Sequence, residues 1–397
     1  MLKKIDFFFN NQNSLIIIIL VSLTTILVSN LIYKYEANLS LQDAAGYILL
    51  AENPYNYFLM SHQESMRIFP SILVFFVSKL GISIENSFKY LTYIAFVLFN
   101  CKLFYSLKSF GVKNYLALSC VAILVYYNHS IIYSVFNYYQ FLDIVTYLLI
   151  LYFIDTIKNK NLFLLFLVSL LSIFTKEYLL VLLILSHIKF YHLNKEKLAF
   201  ISLIVLISIF FVHYNFAASE SLVKNDSNIF KIILSIFKNF SFFHSLYDCL
   251  ILNKNIFLFM PFSVLFFYKR FILILLKNYE LTFFSLIPIG FSLFIFHFVG
   301  NNFFRVFYHG YFILLFLIMI YMVHNILDDD YSKILFFISP GIFMIDYFYI
   351  FFNIRNHGFF EFYQITRYNY FSGFYLFSFL IFLILIIKFR KSYINKI

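Results

Sequence analysis

Ser14 to Tyr33 reads SLIIIILVSLTTILVSNLIY, an uncharged apolar run preceded by Lys3 and Lys4. A helix rises 1.5 Å per residue, so about 20 such residues cross the ~30 Å hydrocarbon core of a bilayer. The run is too long for the apolar region of a secretory signal, and no clear A-x-A cleavage site follows it. It is therefore read as an uncleaved first span. Comparable runs recur at about 87–107, 115–135, 138–157, 198–216, 254–270, 281–299, 306–326, 334–353 and 371–388.

Composition agrees with a membrane chain. Of the 397 residues, 62% are hydrophobic and 12% charged, which excludes an ordinary soluble globule. The 60 Phe and 33 Tyr accompany an absence of Trp and few Gly or Pro, a bias expected of AT-rich codons, so they carry little functional information. The formal charge of +11 is dispersed in short Lys/Arg clusters between apolar runs and makes no basic face. Such clusters read as topology signals, and no nucleic-acid partner is expected. Cys101, Cys120 and Cys249 lie in or beside apolar segments without paired spacing, so neither a disulfide framework nor a metal site follows. No GxxxxGK[ST], GxGxxG, GxSxG or HExxH pattern occurs, which argues against an ATP-driven transporter and the common hydrolases.

The positive-inside rule puts Lys3, Lys4, Lys108, Lys113, Lys269, Arg270, Lys277, Lys388, Arg390, Lys391 and Lys396 on the cytoplasmic side, with both termini. Two shorter apolar runs, 161–175 and 178–190, flank Lys176-Glu177 and are bounded by basic residues on both sides. They predict a hairpin entered from the cytoplasm, with Lys176 and Glu177 near its far tip. Counting 67–81 as a span would put the Lys-rich C-terminus outside, so it reads as re-entrant or interfacial. The fold expected is all-α: a polytopic transmembrane helical bundle of about 10–12 spans, one domain over 1–397, integral to a plasma membrane. Residues 34–81 form its first outer loop, with interfacial or re-entrant helices. The largest outer segment, 217–253, spaces Lys231 and Lys238 one heptad apart among apolar residues, as an interfacial helix does.

The first polar interval is Ser40 to Pro70, SLQDAAGYILLAENPYNYFLMSHQESMRIFP. Ser40 and Asp43 make a capping-box-like start, and the dipole favours a carboxylate in the first turn. A helix over 41–52 follows. Leu41, Ala44, Ala45, Ile48 and Leu49 share the face that would lie on the membrane, while Asp43 and Tyr47 share another. Glu52 is nine positions beyond Asp43 and points the opposite way, so the two carboxylates do not converge. A divalent cation would need that convergence, and no cofactor is identified. Two roles suit Asp43: a helix cap, or a general base aimed into a cavity.

Taken together these stretches resemble the GT-C superfamily of polytopic glycosyltransferases. The resemblance rests on the first span, then Asp43-Ala-Ala-Gly-Tyr47 on an interfacial helix closed by Asn53-Pro54-Tyr55, then Arg67-Ile-Phe-Pro70 leading into the next apolar run. Asn301-Asn302-Phe-Phe-Arg305 at the outer head of a span and the polar interruption Thr175-Lys176-Glu177 extend it. As topology it covers most of the chain; as residues, only these motifs.

What the resemblance implies is a sugar donor linked to polyprenyl phosphate and an envelope glycan, lipid or protein acceptor on the outer side, in a bacterial inner membrane. Transfer inverts the sugar, and Asp43 takes the acceptor proton. A carboxylate within reach of a weakly nucleophilic hydroxyl contributes ~10²–10⁴ in rate. The departing lipid phosphate gathers charge that a guanidinium receives through paired hydrogen bonds. Arg305 is the first candidate, one turn after Asn301, with Arg67, Arg355 and Arg367 as other outer arginines; a plain headgroup-binding role suits Arg305 equally.

Tyr47, Glu52, Asp143, Lys176 and Glu177 complete the candidate substrate-binding set. Asp143, at the outer head of a span, is an intramembrane carboxylate and hence a functional candidate. Lys176 and Glu177 suit either a self-neutralising pair or a polar cavity floor. The loop lacks the Asp-Glu pair of the commoner pattern, and no Lys-Pro-Pro occurs, so the acceptor is not defined by motif. A polysaccharide polymerase or ligase is weakened by the absence of Arg from 217–253. A transporter or flippase is weakened by the lack of internal repeats and paired Gly/Pro breaks.

Overall fold

The computed structural model describes residues 9–32, 42–55, 65–126, 141–176, 196–220 and 303–325, with isolated positions within 131–139, 179–187, 276–286 and 327–337; for 31–32, 42–44, 196, 216–220, 303–308 and 325 it describes backbone alone. Among these residues the regular structure is all helical. In chain order the helices are α1 (Asn11–Ile32), α2 (Gln42–Glu52), α3 (Ile68–Ser78), α4 (Ile84–Ser109), α5 (Asn114–Tyr126), α6 (Phe141–Asn159), α7 (Leu162–Ile173), α8 (Glu196–Glu220) and α9 (Phe303–Asn325). Among the described residues, three helices are long and apolar enough to cross a membrane: Asn11–Asn30, Ile84–Ser109 and Lys197–Asn215. The expected spans at about 254–270, 281–299, 334–353 and 371–388 fall wholly or largely outside the described residues.

Two compact units form. One takes Met1–Tyr33, Leu103–His129 and Phe240–Ile397; the other takes Lys34–Lys102 and Ser130–Asn239.

In the first unit, α1 packs on α5 and α5 on α9. The face α1 buries is hydroxyl-rich: Ser14, Ser22, Thr25 and Ser29 are buried beside Ile18 and Ile26, while Ile16, Leu20, Leu23 and Leu27 are exposed. That reverses the polarity of a helix in water. It suits lipid, where outward apolar groups cost nothing and small hydroxyl residues let helices approach closely. Ser22 and Thr25 return their hydroxyl protons to Ile18 and Val21 carbonyls, at 2.7 and 2.8 Å, and Thr25 also meets the Tyr126 hydroxyl. The turn between α4 and α5 needs Gly111, whose φ of +83° strains any residue with a Cβ. His324 of α9 donates from Nε2 to the Phe110 carbonyl at 2.9 Å, tying that turn to α9.

In the second unit, α2 packs on α3, and α7 packs on both α6 and α8. Helix α2 buries Tyr47, Leu50 and Ala51 and leaves Leu49 exposed. This agrees with an outward apolar edge containing Ile48 and Leu49, and Asp43 shares the register of Tyr47 and Leu50. Helix α3 has 11 residues, about 16 Å at 1.5 Å per residue, too short to span. Helix α6 is buried along nearly its whole length. The α6–α7 turn passes through Lys160, at φ 54°, and Asn161 then caps α7 by accepting from Leu164 N at 3.0 Å. Beyond it, Ile173 and Leu206 join α7 to α8 with Phe166, Leu170, Phe174, Leu203 and Phe210 around them. The first arm of the expected hairpin is thus α7, while its second arm lies mostly outside the described residues.

Candidate functional site

The α6–α7 hairpin runs antiparallel, so the N-terminal end of α6 lies beside the C-terminal end of α7. Asp143 sits in the first turn of α6 and Lys176 just past the C-cap of α7. Their side chains meet at 2.5 Å, and both are buried, with 0% and 3% relative exposure. Each charge also sits at the helix end that favours it, the carboxylate at an N-terminus and the ammonium near a C-terminus. Lys176 therefore pairs with a residue on the preceding helix; its neighbour Glu177 lies outside the described residues.

Two further segments reach the same end of the unit. Phe69 N, in the first turn of α3, donates to the Phe174 carbonyl at 3.0 Å. His213 of α8 donates from Nε2 to the Met66 carbonyl at 3.1 Å, and its ring meets that of Phe174 edge-on, centroids 4.8 Å apart. Since a carbonyl only accepts, Nε2 carries the proton in this contact. The chain stretch Met66-Arg67-Ile-Phe69 is thereby fastened to Phe174-Thr175-Lys176. Arg67 is half-exposed and occupies the N-cap of α3, with no side-chain cap hydrogen bond.

The other expected residues are placed as follows. Asp43 stands in the first turn of α2, with its backbone alone described. Tyr47, one turn on, is buried. Glu52 ends α2 and is exposed, followed by an Asx turn in which Tyr55 N donates to Asn53 Oδ1 at 3.0 Å. Arg305 lies in the first turn of α9, in the first unit, and Asn301 lies outside the described residues. The structure therefore brings together Asp143, Lys176 and the Arg67 segment, and leaves Glu52 outward. Among the described residues no group of three His, Cys, Asp or Glu forms a metal-ligand cluster.

A second ion pair occupies the other end of α6. Lys102 of α4 meets Asp155, and its ammonium lies 4.3 Å from the Tyr152 ring centroid. These side chains keep 20% and 12% exposure. Asp155 thus pairs with Lys102 of a neighbouring helix, three residues before Lys158 on its own. Sequence reasoning missed both His213 and Lys102. The signal was present, since each is a lone ionisable residue inside an apolar run and such residues face partners within the protein. Comparison of the chain with protein-family models, with curated proteins and with solved structures returns no match.

Proposed function

We propose that the chain is a polytopic membrane glycosyltransferase of the GT-C kind, moving a sugar from a polyprenyl-phosphate-linked donor to an acceptor hydroxyl on the outer side of the membrane. The observation that carries this reading is the Phe69 N to Phe174 O hydrogen bond. Arg67-Ile-Phe-Pro70 and Thr175-Lys176-Glu177, two of the motifs behind the resemblance, are more than a hundred residues apart in sequence, and this bond holds them in register. Helix α2, closed by Asn53-Pro54-Tyr55 and packed on α3, supports the same reading of the first outer loop.

In the proposed reaction the acceptor oxygen attacks the anomeric carbon as the bond from that carbon to the lipid phosphate breaks, with inversion. The acceptor proton passes to the Asp43 carboxylate. The departing phosphate is received by guanidinium, with Arg67 as the candidate in the unit that also holds Asp43. Asp143 and Lys176 neutralise each other, so their contribution is a fixed frame under the Arg67 segment. The full bundle of ten to twelve spans, both termini cytoplasmic in a bacterial plasma membrane, belongs to this proposal.

The test is transfer of labelled sugar from polyprenyl-phosphate donors in membranes carrying the protein. Asp43→Asn should lower incorporation by ~10²-fold or more with unchanged protein accumulation. Full incorporation by that variant overturns the assignment. A second reading, an ion-coupled transporter, is favoured by the buried Asp143–Lys176 pair, because such pairs mark ion pathways. It predicts solute uptake that survives Asp43→Asn and fails on Asp143→Asn.

A further inference from the structure

We infer that His213 is a positioning residue that sets Arg67 against the end of α7 for contact with the donor phosphate, an inference that rests on the glycosyltransferase reading. His213 stands on α8, yet it touches the residue immediately before each motif, Met66 before Arg67 and Phe174 before Thr175. Its Nε2 holds the Met66 carbonyl, so it fixes the peptide unit that leads directly into Arg67. Its ring edge meets Phe174, whose carbonyl accepts from Phe69 N two residues beyond Arg67. Arg67 is thus bracketed, with the residue before it tied to α8 and the residue two after it tied to α7.

The bracket matters because Arg67 heads α3 without a side-chain cap, in a backbone conformation outside the helical region, φ −103° and ψ 43°. A guanidinium that is to make two parallel hydrogen bonds to phosphate must be held in orientation as well as position. Misplacement weakens both hydrogen bonds and, with them, the hold on the donor phosphate. The Asp143–Lys176 pair anchors the α7 side of the bracket, and His213 anchors the α3 side.

Two sets of variants test this in the full-length protein. His213→Phe keeps a ring for Phe174 and loses the donor; His213→Gln supplies an amide N–H in its place. The expected result is a donor KM raised on the order of tenfold in His213→Phe with kcat nearly unchanged, and KM largely restored in His213→Gln. A merely structural role would reduce the amount of active protein and leave KM where it was, and that outcome overturns the inference. Independently of activity, Ile68→Cys with Thr175→Cys in a chain freed of Cys101, Cys120 and Cys249 should form a disulfide readily. Its yield should fall sharply when His213→Ala is added. Unchanged yield overturns positioning by His213 whatever the enzymology. A His213-dependent cross-link in a protein that transfers no sugar from any donor overturns the glycosyltransferase reading and, with it, the donor-directed role, while leaving the bracket itself standing.

Discussion

Removing the charge of Asp143 should cost far more than removing that of Asp155, although both are aspartates paired with lysine on the same helix. Asp143 and Lys176 are excluded from solvent, so Asp143→Asn leaves a buried ammonium stripped of the carboxylate 2.5 Å away. Breaking one side of such a pair destabilises by about 3–5 kcal/mol, a change of ~10²–10⁴ in the folded-to-unfolded ratio. Replacing both partners by apolar residues of similar size is about neutral or mildly stabilising. Asp155→Asn meets a pair with 20% and 12% side-chain exposure, where water screens the loss, and should cost about 1 kcal/mol or less. Reversible unfolding in mixed detergent micelles, titrated with dodecyl sulfate and followed by helical circular dichroism, would rank the variants. The cycle Asp143→Leu, Lys176→Met and both together isolates the coupling. A coupling near zero, or equal costs at the two ends of α6, would refute the view that the Asp143–Lys176 pair organises this end of the unit.

Two smaller predictions concern other parts of the chain. Tyr55 is 76% exposed, and in a chain otherwise free of cysteine, Tyr55→Cys should react with a membrane-impermeant thiol reagent added outside intact cells. Labelling only after permeabilisation inverts the proposed topology. Gly111→Ala should destabilise by about 1 kcal/mol through its positive φ, since a Cβ there meets His324 Cε1 at an ordinary 3.6 Å, and strain alone sets the cost. A neutral or stabilising effect in the same unfolding assay would contradict that account.

The apolar runs were the legible part. Ser14 to Tyr33 became α1, 87–107 became α4 and 198–216 became α8, each within a few residues, because span length and hydropathy are local properties of the chain. The break at Thr175-Lys176, where α7 ends, was equally visible. What the sequence did not disclose is which charge meets which. Lys176 stands next to Glu177, and adjacency suggests a local pair; Asp143 lies 33 residues back and is brought near by the antiparallel α6–α7 hairpin. Lys102 and Asp155 are 53 residues apart, and Met66 and His213 are 147 apart. Such contacts follow from packing, which no window along the sequence reports. His213 is hard to read for a second reason: it sits inside an apolar helix, where a single histidine gives no spacing pattern.

The account turns on Asp43 as the base in a sugar transfer that frees polyprenyl phosphate. The most direct measurement is release of that lipid phosphate by the purified protein in liposomes, supplied with polyprenyl-phosphate sugars and envelope acceptor. The expected result is release that requires both acceptor and the Asp43 carboxylate, reduced ~10²-fold or more in Asp43→Asn. Release at the same rate in Asp43→Asn, or none from any donor by the parent protein, contradicts it.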